Sequence, residues 1–142
     1  MTFQPNEPDI TNQEVQEIVS DTIETAEIAL FVKGTKHMPQ CGYSDKALSL
    51  VHHYRDEQDV AVVNVLQNID AFRQTLEKQS GWETIPQTFV EGEFIGGSDI
   101  LVEMAERGDL GEALNAYETT APPEFRADAN GSNGSTEPEA PF

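Results

Sequence analysis

Residues 28–54 read IALFVKGTKHMPQCGYSDKALSLVHHY, and this stretch decides the fold. It opens with a short apolar run over residues 28–33, which is typical of a buried strand. A proline-containing loop over residues 34–40 follows and leads to Cys41. Beyond the cysteine, apolar side chains recur at the spacing of one helical face, at Ala47, Leu48, Val51 and Tyr54. The stretch is therefore predicted to form a strand, a loop and a helix, with the cysteine at or just before the helix start.

Upstream of this stretch the sequence predicts one helix. Thr11, followed three residues later by Glu14, is a capping box, in which each side chain accepts a hydrogen bond from the other residue's backbone N–H group. Apolar residues then recur at helical spacing, at Val15, Ile18, Val19, Ile23 and Ala26. A helix is predicted over residues 12–26. Residues 1–10 contain two prolines and no periodicity, and are predicted to be a flexible N-terminal arm.

Downstream, the pattern predicts three more strands and a helix. Residues 60–66, VAVVNVL, form a second apolar run and are predicted to be a buried strand. Asn68 is a suitable N-cap for the helix that follows. Residues 87–90 and 93–95 are short β-rich segments, and the Glu-Gly pair between them favours a hairpin turn.

Two further helices are predicted after the hairpin. Ser98 is a candidate N-cap for a helix that Gly108 would end. Asp109 and Glu112 have the spacing of a second capping box. The apolar residues that follow predict a last helix over residues 110–117.

The predicted order of elements is α-β-α-β-α-β-β-α-α. Strands separated by helices pair in parallel, whereas the hairpin adds antiparallel strands. We therefore predict an α/β fold over residues 11–120, with a four-stranded mixed sheet and helices on both faces. Residues 121–142 hold four prolines and few large apolar side chains, and are predicted to be a disordered acidic C-terminal tail.

The charge of the chain disfavours several classes of partner. It carries 26 acidic and 8 basic residues, a formal charge of −18. Binding to nucleic acid or to an anionic membrane requires clustered lysine and arginine, so neither is expected. No stretch approaches the roughly 20 apolar residues that span a bilayer, and residues 1–27 lack the positive charge of a signal peptide. We therefore expect a cytoplasmic protein, whose acidic surface resembles that of halophile proteins.

Cys41 is the only cysteine, which excludes an internal disulfide and a metal site built from cysteines of this chain alone. A helix start at Cys41 favours the thiolate, because free backbone N–H groups and the positive end of the helix dipole stabilise an anion. Lys33, at the end of the preceding strand, brings a cation to the same place. A buried structural cysteine is the alternative, but the order of strand, loop, cysteine and helix favours a reactive thiol.

Two other segments are candidates for the same site. A cis bond between Ile85 and Pro86 would expose the backbone groups of Ile85 to an extended thiol peptide. Residues 96–99, Gly-Gly-Ser-Asp, open the next helix, so that N–H groups can bind a carboxylate and Asp99 can bind an amine. Taken separately, each segment is explained more simply, as a turn at a strand edge and as an ordinary helix cap.

Together, these motifs resemble those of one family. The residues that match the order and spacing of the monothiol glutaredoxins, the group with a Cys-Gly-Phe-Ser active site, are Lys33, residues 41–44, Trp82, residues 84–87 and residues 96–99. The resemblance spans about residues 11–117. It implies a thioredoxin-like fold, which agrees with the predicted order of elements.

The resemblance also implies a ligand beside Cys41, either glutathione or a related γ-glutamyl thiol. It assigns Lys33 and Arg73 to the carboxylates of this ligand and the backbone of Ile85 to its cysteinyl part, with Pro86 as the cis proline. The residues that would bind the γ-glutamyl end lie at the start of the next helix and are Gly97, Ser98 and Asp99.

Two functions are compatible with these residues. A [2Fe–2S] cluster takes four thiolate ligands or equivalents. This chain supplies one of them, Cys41, which is its predicted metal ligand. A homodimer with two bound small thiols would complete the set, and such a labile site suits transfer to iron–sulfur apoprotein clients. The alternative is a glutathione-dependent thiol–disulfide oxidoreductase in which Cys41 attacks a mixed disulfide. The resemblance implies mainly a cluster carrier with weak oxidoreductase activity.

The sequence departs from the family pattern at four places. Tyr43 stands in place of phenylalanine and keeps the aromatic ring. Glu83 replaces a proline that is common after the tryptophan. Ser98 replaces a frequent cysteine, so no second thiol of this chain can resolve a mixed disulfide. One residue is inserted between Asn68 and Arg73, which affects the assignment of Arg73.

Overall fold

The computed structural model describes residues 9–116. The helices and strands, in chain order, are α1 (Asn12–Thr25), β1 (Ile28–Val32), α2 (Gly42–Tyr54), β2 (Val60–Asn64), α3 (Ile69–Ser80), β3 (Gln87–Val90), β4 (Glu93–Gly96), α4 (Ser98–Arg107) and α5 (Leu110–Ala113). This is the predicted order. The predicted arm, apart from Asp9 and Ile10, and the predicted tail over residues 121–142 lie outside the described residues. None of the helices within residues 9–116 is long and apolar enough to cross a bilayer.

The caps of α1 and α3 agree with the prediction. Thr11 Oγ1 accepts from the N–H of Glu14 (3.1 Å), and Glu14 Oε1 accepts from the N–H of Thr11 (2.8 Å), which confirms the capping box. Asn68 is the N-cap of α3. Its Nδ2 also donates to the carbonyl of Ile10 (3.0 Å) and to Asn12 Oδ1 (3.1 Å). The buried Asn68 side chain therefore fastens the start of α1 to the start of α3.

The predicted strand over residues 60–66 is too long, because β2 ends at Asn64. Asn64 Oδ1 accepts from the N–H of Leu66 (2.9 Å) and from that of Gly34 (2.9 Å). The first bond turns the backbone into a single turn of 3₁₀ helix, and the second ties that turn to the loop after β1. One polar side chain thus ends the strand and supports the loop that leads to Cys41.

The cap predicted for α4 is wrong, whereas the one predicted for α5 is correct in its position, Asp109, but not in its capping bond. Gly97, not Ser98, is the N-cap of α4, because the first helical bond runs from the N–H of Leu101 to the carbonyl of Gly97 (3.0 Å). The side chain of Asp109 makes no capping bond to α5. Its backbone is already helical (φ −97°, ψ −15°), and its carboxylate lies 3.4 Å from Arg107 Nε. Within the described residues, α5 is a single turn and is shorter than the predicted helix over residues 110–117.

Strand β1 lies in the centre of a sheet with the order β2-β1-β3-β4. It pairs parallel with β2 and antiparallel with β3, and β4 pairs antiparallel with β3. This confirms the predicted four-stranded mixed sheet. Helices α2, α4 and α5 pack on one face and helices α1 and α3 on the other, so the prediction of helices on both faces is also confirmed.

All five residues of β1 are buried, since the strand faces a core on each side. Ile28, Leu30 and Val32 belong to the core shared with α2, α4 and α5. Ala29 and Phe31 belong to the core shared with α1 and α3. The unbroken apolar run in the sequence follows from this double burial, because neither face of the strand meets water.

At the end of the sheet where β1 begins, Arg55 joins three elements. Its guanidinium donates to both carboxylate oxygens of Glu27 (3.1 and 3.0 Å) and to the carbonyl of Leu114 (2.8 Å). Asn115 Nδ2 also donates to Glu27 (2.9 Å). The hydrogen bonds from Arg55 and Asn115 hold the pKa of the Glu27 carboxyl below its usual value. This charged cluster ties the end of α2 to the start of β1 and to the turn after α5.

We expect Glu27→Gln to lower the free energy of unfolding at neutral pH by about 0.2 to 1 kcal/mol, the range for solvent-exposed ion pairs. Because folding lowers the pKa of Glu27, the stabilisation is complete above the unfolded pKa and is lost as the pH falls through the folded value. Urea unfolding at neutral and at successively more acidic pH measures this difference. Glu24→Gln, which neutralises an exposed carboxylate near the end of α1, is the control. A difference that persists unchanged into acid would contradict the assignment.

Candidate functional site

The loop between β1 and α2 folds back on itself. The carbonyl of Lys33 accepts from the N–H of Gln40 (2.8 Å), which closes the loop at its base. Gly34 has a φ of 108°, and a Cβ there would lie 2.6 Å from the carbonyl oxygen of Met38. Only glycine fits this turn without a shift of the backbone. The closed loop returns the chain to the end of β1, and Cys41 follows it at the start of α2.

Cys41 is the N-cap residue of α2, and its thiol is free and partly exposed. Burial alone would raise the pKa of this thiol. Hydrogen bonds from the N–H groups of Ser44 and Tyr43 and from the Ser44 hydroxyl, together with the nearby charge of Lys33, lower the pKa below the usual value of cysteine. The direction agrees with the prediction from a helix start. The thiolate, which is the nucleophilic and metal-binding form, is therefore favoured.

Ser44 is a functional candidate whose individual role was not predicted from the sequence. Its side chain is fully buried, and its Oγ accepts from the backbone N–H of Lys33 (3.0 Å). Because this bond occupies a lone pair only, the hydroxyl proton remains available to the sulfur of Cys41. Its position three residues after the N-cap was the available signal, since first-turn side chains point back towards the helix start.

A groove of about 630 Å³ lies beside Tyr43, two residues after the cysteine. It is formed by the loop before β3, by β4 with the glycines that follow it, and by the first turn of α4. The rings of Tyr43 and Trp82 at its wall are exposed. The residues of the predicted binding site that line the groove are Ile85, Pro86, Gly97, Ser98 and Asp99. The structure thus brings these five residues together from segments that are separate in the sequence.

The two sides of the groove meet at Pro86 and Gly97. The Ile85–Pro86 peptide bond is cis, and a Cβ at Gly97 would lie 3.0 Å from the carbonyl oxygen of Pro86. Gly96 has a φ of 143°, and a Cβ there would lie 2.5 Å from the Cβ of Ile100. Gly97 therefore allows the start of α4 to approach the loop that precedes β3, and Gly96 allows the side chain of Ile100 to pack against the end of β4.

Three predicted site residues lie outside the lining of this groove: Cys41, Lys33 and Arg73. Lys33 directly follows β1, and its charge acts on the thiol, so it lies with Cys41 at the end of that strand. Arg73 is half-buried on α3. The structure therefore groups Lys33 with Cys41, and the role of Arg73 stays a prediction.

The donors of this site are insufficient for a metal ion or cluster held by one chain. Within residues 9–116 there is no group of three or more histidine, cysteine or acidic side chains placed to hold a metal ion. Lys36, on the loop before Cys41, is paired with Glu57 at 3.4 Å. Any metal centre at Cys41 would therefore need further ligands from outside the described part of the chain.

We expect Ser44→Ala to raise the pKa of Cys41 relative to the wild-type protein, because one hydrogen bond to the thiolate is lost. At neutral pH the rate of reaction with iodoacetamide should fall, since fewer molecules carry the thiolate. The rate as a function of pH gives the pKa, and Cys41 is the only thiol that reacts. Ser49→Ala, at an exposed serine of the same helix, should react like the wild type. An unchanged pKa in Ser44→Ala would mean that the hydroxyl does not reach the sulfur.

Comparisons with known proteins identify the family. The family model described as glutaredoxin matches residues 28–95. Monothiol glutaredoxin-5, mitochondrial, of Saccharomyces cerevisiae is 37% identical over 112 residues, which cover 78% of this chain and 74% of that protein. The probable monothiol glutaredoxin GrlA of Legionella pneumophila is 47% identical over 81 residues, which cover 57% of this chain and 88% of that protein.

Solved structures share the fold. The solution structure of reduced poplar apo GrxS14 has a TM-score of 0.61 and 35% identity, and the match covers 71% of this chain and 90% of that one. A monomeric truncated mutant of Trypanosoma brucei 1-C-Grx1 has a TM-score of 0.61 and 32% identity, over 75% of this chain and 94% of that one. The predicted thioredoxin-like fold is thereby confirmed. On its sequence and its fold, the chain belongs to the monothiol glutaredoxin family.

Proposed function

We propose that this protein binds a labile [2Fe–2S] cluster together with a small thiol such as glutathione, for cluster assembly or transfer. The observation that carries the proposal is Cys41, a partly exposed thiol with a lowered pKa at a helix start. The groove at Tyr43, two residues after Cys41, has the size of a small-molecule site. Thiolates are the preferred ligands of iron–sulfur clusters. In this proposal the cluster is cargo, which the protein receives and passes on.

The number of ligands determines the assembly that we propose. A [2Fe–2S] cluster takes four thiolates, and one copy of the chain supplies only Cys41. Two copies related by a two-fold axis supply two thiolates, and two small thiols supply the others. Dimerisation and cluster capture then depend on each other. Two ligands that exchange with solution also make the cluster easy to release.

The groove and the end of β1 offer groups that complement a γ-glutamyl thiol. The Asp99 carboxylate suits the ammonium group of the ligand, and the N–H groups of the first turn of α4 suit the adjacent carboxylate. Lys33 is the proposed partner of a second carboxylate, and Arg73 is the candidate for the same role from α3. The backbone of Ile85, which lines the groove, is the proposed partner of the cysteinyl part of the ligand. Such contacts would hold the ligand sulfur near Cys41.

Thiol–disulfide exchange is the alternative function, and the lowered pKa of Cys41 favours it. The Cys41 thiolate would attack the small-thiol sulfur of a mixed disulfide, form a new S–S bond and release the client thiolate, which takes up a proton. A second small thiol, as its thiolate, would attack that same sulfur and release Cys41. The products are the reduced client and the small-molecule disulfide, so the second small thiol is the reductant and also supplies the proton that the client thiolate takes up. Ser98 provides no second thiol for another route.

The partners that we propose are a second copy of the chain, the small thiol and apoproteins that accept the cluster. The proposed compartment is the cytoplasm, where reducing conditions keep a free thiol reduced. Nucleic acid and anionic membranes are not proposed, because the formal charge of −18 repels both.

Anaerobic reconstitution with iron, sulfide and glutathione tests the proposed function. We expect a coloured dimer in visible absorbance and size-exclusion chromatography, and we expect Cys41→Ser or the omission of glutathione to give a colourless protein. A colourless wild-type monomer that still reduces mixed disulfides would favour the alternative. If the wild type shows neither activity with glutathione or other γ-glutamyl thiols, both functions are wrong.

Asp99→Ala tests the binding of the small thiol separately. We expect the dissociation constant for glutathione to rise about tenfold, since a charge-assisted hydrogen bond is lost. The glutathione concentration needed for half-maximal reconstitution should rise in parallel. Glu106→Ala, at an exposed carboxylate farther along α4, is the matched control. A cluster yield that depends on glutathione as in the wild type would refute the ligand scheme.

A further inference from the structure

Gln87 connects the sheet to the wall of the groove. It is the first residue of β3, is 1% exposed and lines the groove. Its amide Nε2 donates to the carbonyl oxygens of Trp82 (2.6 Å) and Thr84 (3.1 Å). We infer that this amide holds the loop of residues 82–86 in the shape that binds the small thiol. The inference rests on the function proposed above and assigns Gln87 as a positioning residue.

The backbone of Gln87 is fixed, whereas the loop that it supports has no regular structure. Gln87 pairs with Phe31 of the central strand in the antiparallel ladder. Residues 82–86 belong to no helix or strand. The side chain of Gln87 therefore links the sheet to a segment that makes no strand pairing of its own.

The backbone of Trp82 is held from both sides. Ser80 Oγ, at the end of α3, accepts from the N–H of Trp82 (3.0 Å). Gln87 donates to the carbonyl of the same residue. Because the Trp82 ring is 59% exposed, core packing does little to orient it. These bonds therefore fix the backbone of Trp82 at the groove wall.

The orientation of the Gln87 amide is determined by its partners. Two carbonyl acceptors require the nitrogen, so the amide cannot be turned around. Its Oε1 is then buried without a hydrogen-bond partner within residues 9–116, which is an unfavourable state for a polar atom. An apolar side chain of the same length would fill this space without that penalty. What it would lack is the pair of N–H donors beneath the loop.

Ile85 and Pro86 connect the Gln87 amide to the groove. Both line the groove, and they occupy the short stretch between the Thr84 carbonyl and Gln87 itself, the two points at which the amide is anchored. The groups that set the pKa of Cys41 lie elsewhere, on α2 and at the end of β1. Loss of the Gln87 donors should therefore weaken thiol binding and leave the reactivity of Cys41 unchanged.

Gln87→Met tests the inference, because it keeps the length of the side chain and removes both donors. Calorimetric titration of reduced apo protein with reduced glutathione should give a dissociation constant about tenfold above that of the wild type. The iodoacetamide pH profile of Cys41 should not move. The control is Thr88→Val, which removes a neighbouring buried hydroxyl that has no partner within residues 9–116. Thr88 is opposite Leu30 on the other face of the sheet, so its loss should leave glutathione binding unchanged.

Gln87→Glu gives a second test that does not depend on Gln87→Met being well folded. As a carboxylate it has no donor and repels both carbonyls, whereas after protonation it can donate one hydrogen bond. Its affinity for glutathione, divided by that of the wild type at the same pH, should recover as the pH falls. Urea unfolding of each variant separates a loss of binding from a loss of folded protein.

The outcomes separate the two proposals. Wild-type protein that binds neither glutathione nor another γ-glutamyl thiol would overturn the proposed function, and with it this role of Gln87. Wild-type protein that binds glutathione, with Gln87→Met binding equally well, would overturn the positioning role alone. A shifted pKa of Cys41 in Gln87→Met, or a Gln87→Glu ratio that is the same at every pH, would also contradict it.

Discussion

The burial of β1 on both faces is the constraint on which the structure depends. A strand whose five residues are all buried must find hydrogen bonds on both edges and apolar neighbours on both sides. The pairing with β2 and β3 and the two helical layers meet these requirements. The end of the same strand is also connected to the thiol. The N–H of Lys33 donates a hydrogen bond to Ser44 Oγ, and the Ser44 hydroxyl helps to lower the pKa of Cys41. The position of the groups around the sulfur therefore depends on the position of the sheet.

The negative charge of the chain also bears on the ionisation of the Cys41 thiol. An overall charge of −18 disfavours another anion on the surface. Residues 33–46 differ from the rest of the chain in this respect, because they contain three lysines and a single aspartate. Backbone N–H groups, one hydroxyl and Lys33 act on the sulfur at short range. Screening by salt weakens the distant repulsion more than these direct contacts. A diffuse acidic surface and a stabilised thiolate can therefore coexist.

The order of the elements and the mixed sheet were predictable, because they follow from local periodicity and from the pairing rules for strands. The predicted boundaries of helices and strands were wrong where a side chain makes a hydrogen bond or ion pair that the sequence does not reveal. Asn64 ends β2 through bonds to Leu66 and Gly34, and Asp109 lies beside Arg107 instead of capping α5. These choices depend on which groups the folded chain brings within reach.

The site was predictable to a similar depth. The motif positions identified Cys41 and the groove residues, but not how the groove is built. Ser44 and Gln87 act through the backbone of Lys33, Trp82 and Thr84. No spacing rule in a single sequence says which carbonyl will face which amide. For the same reason the placement of Arg73, after an inserted residue, could not be derived from the pattern alone.

The two ends of β1 serve different purposes, and the distance between them matters. The cluster of Glu27, Arg55 and Asn115 lies where the strand begins, and Cys41 lies beyond its other end. A strand of five residues spans about 17 Å, and the 13 residues of α2 span about 20 Å. Changes separated by such distances, without shared neighbours, usually have additive effects. Resistance to heat or salt can thus be adjusted at one end of the molecule, by selection or by engineering, while the chemistry at the other end is preserved.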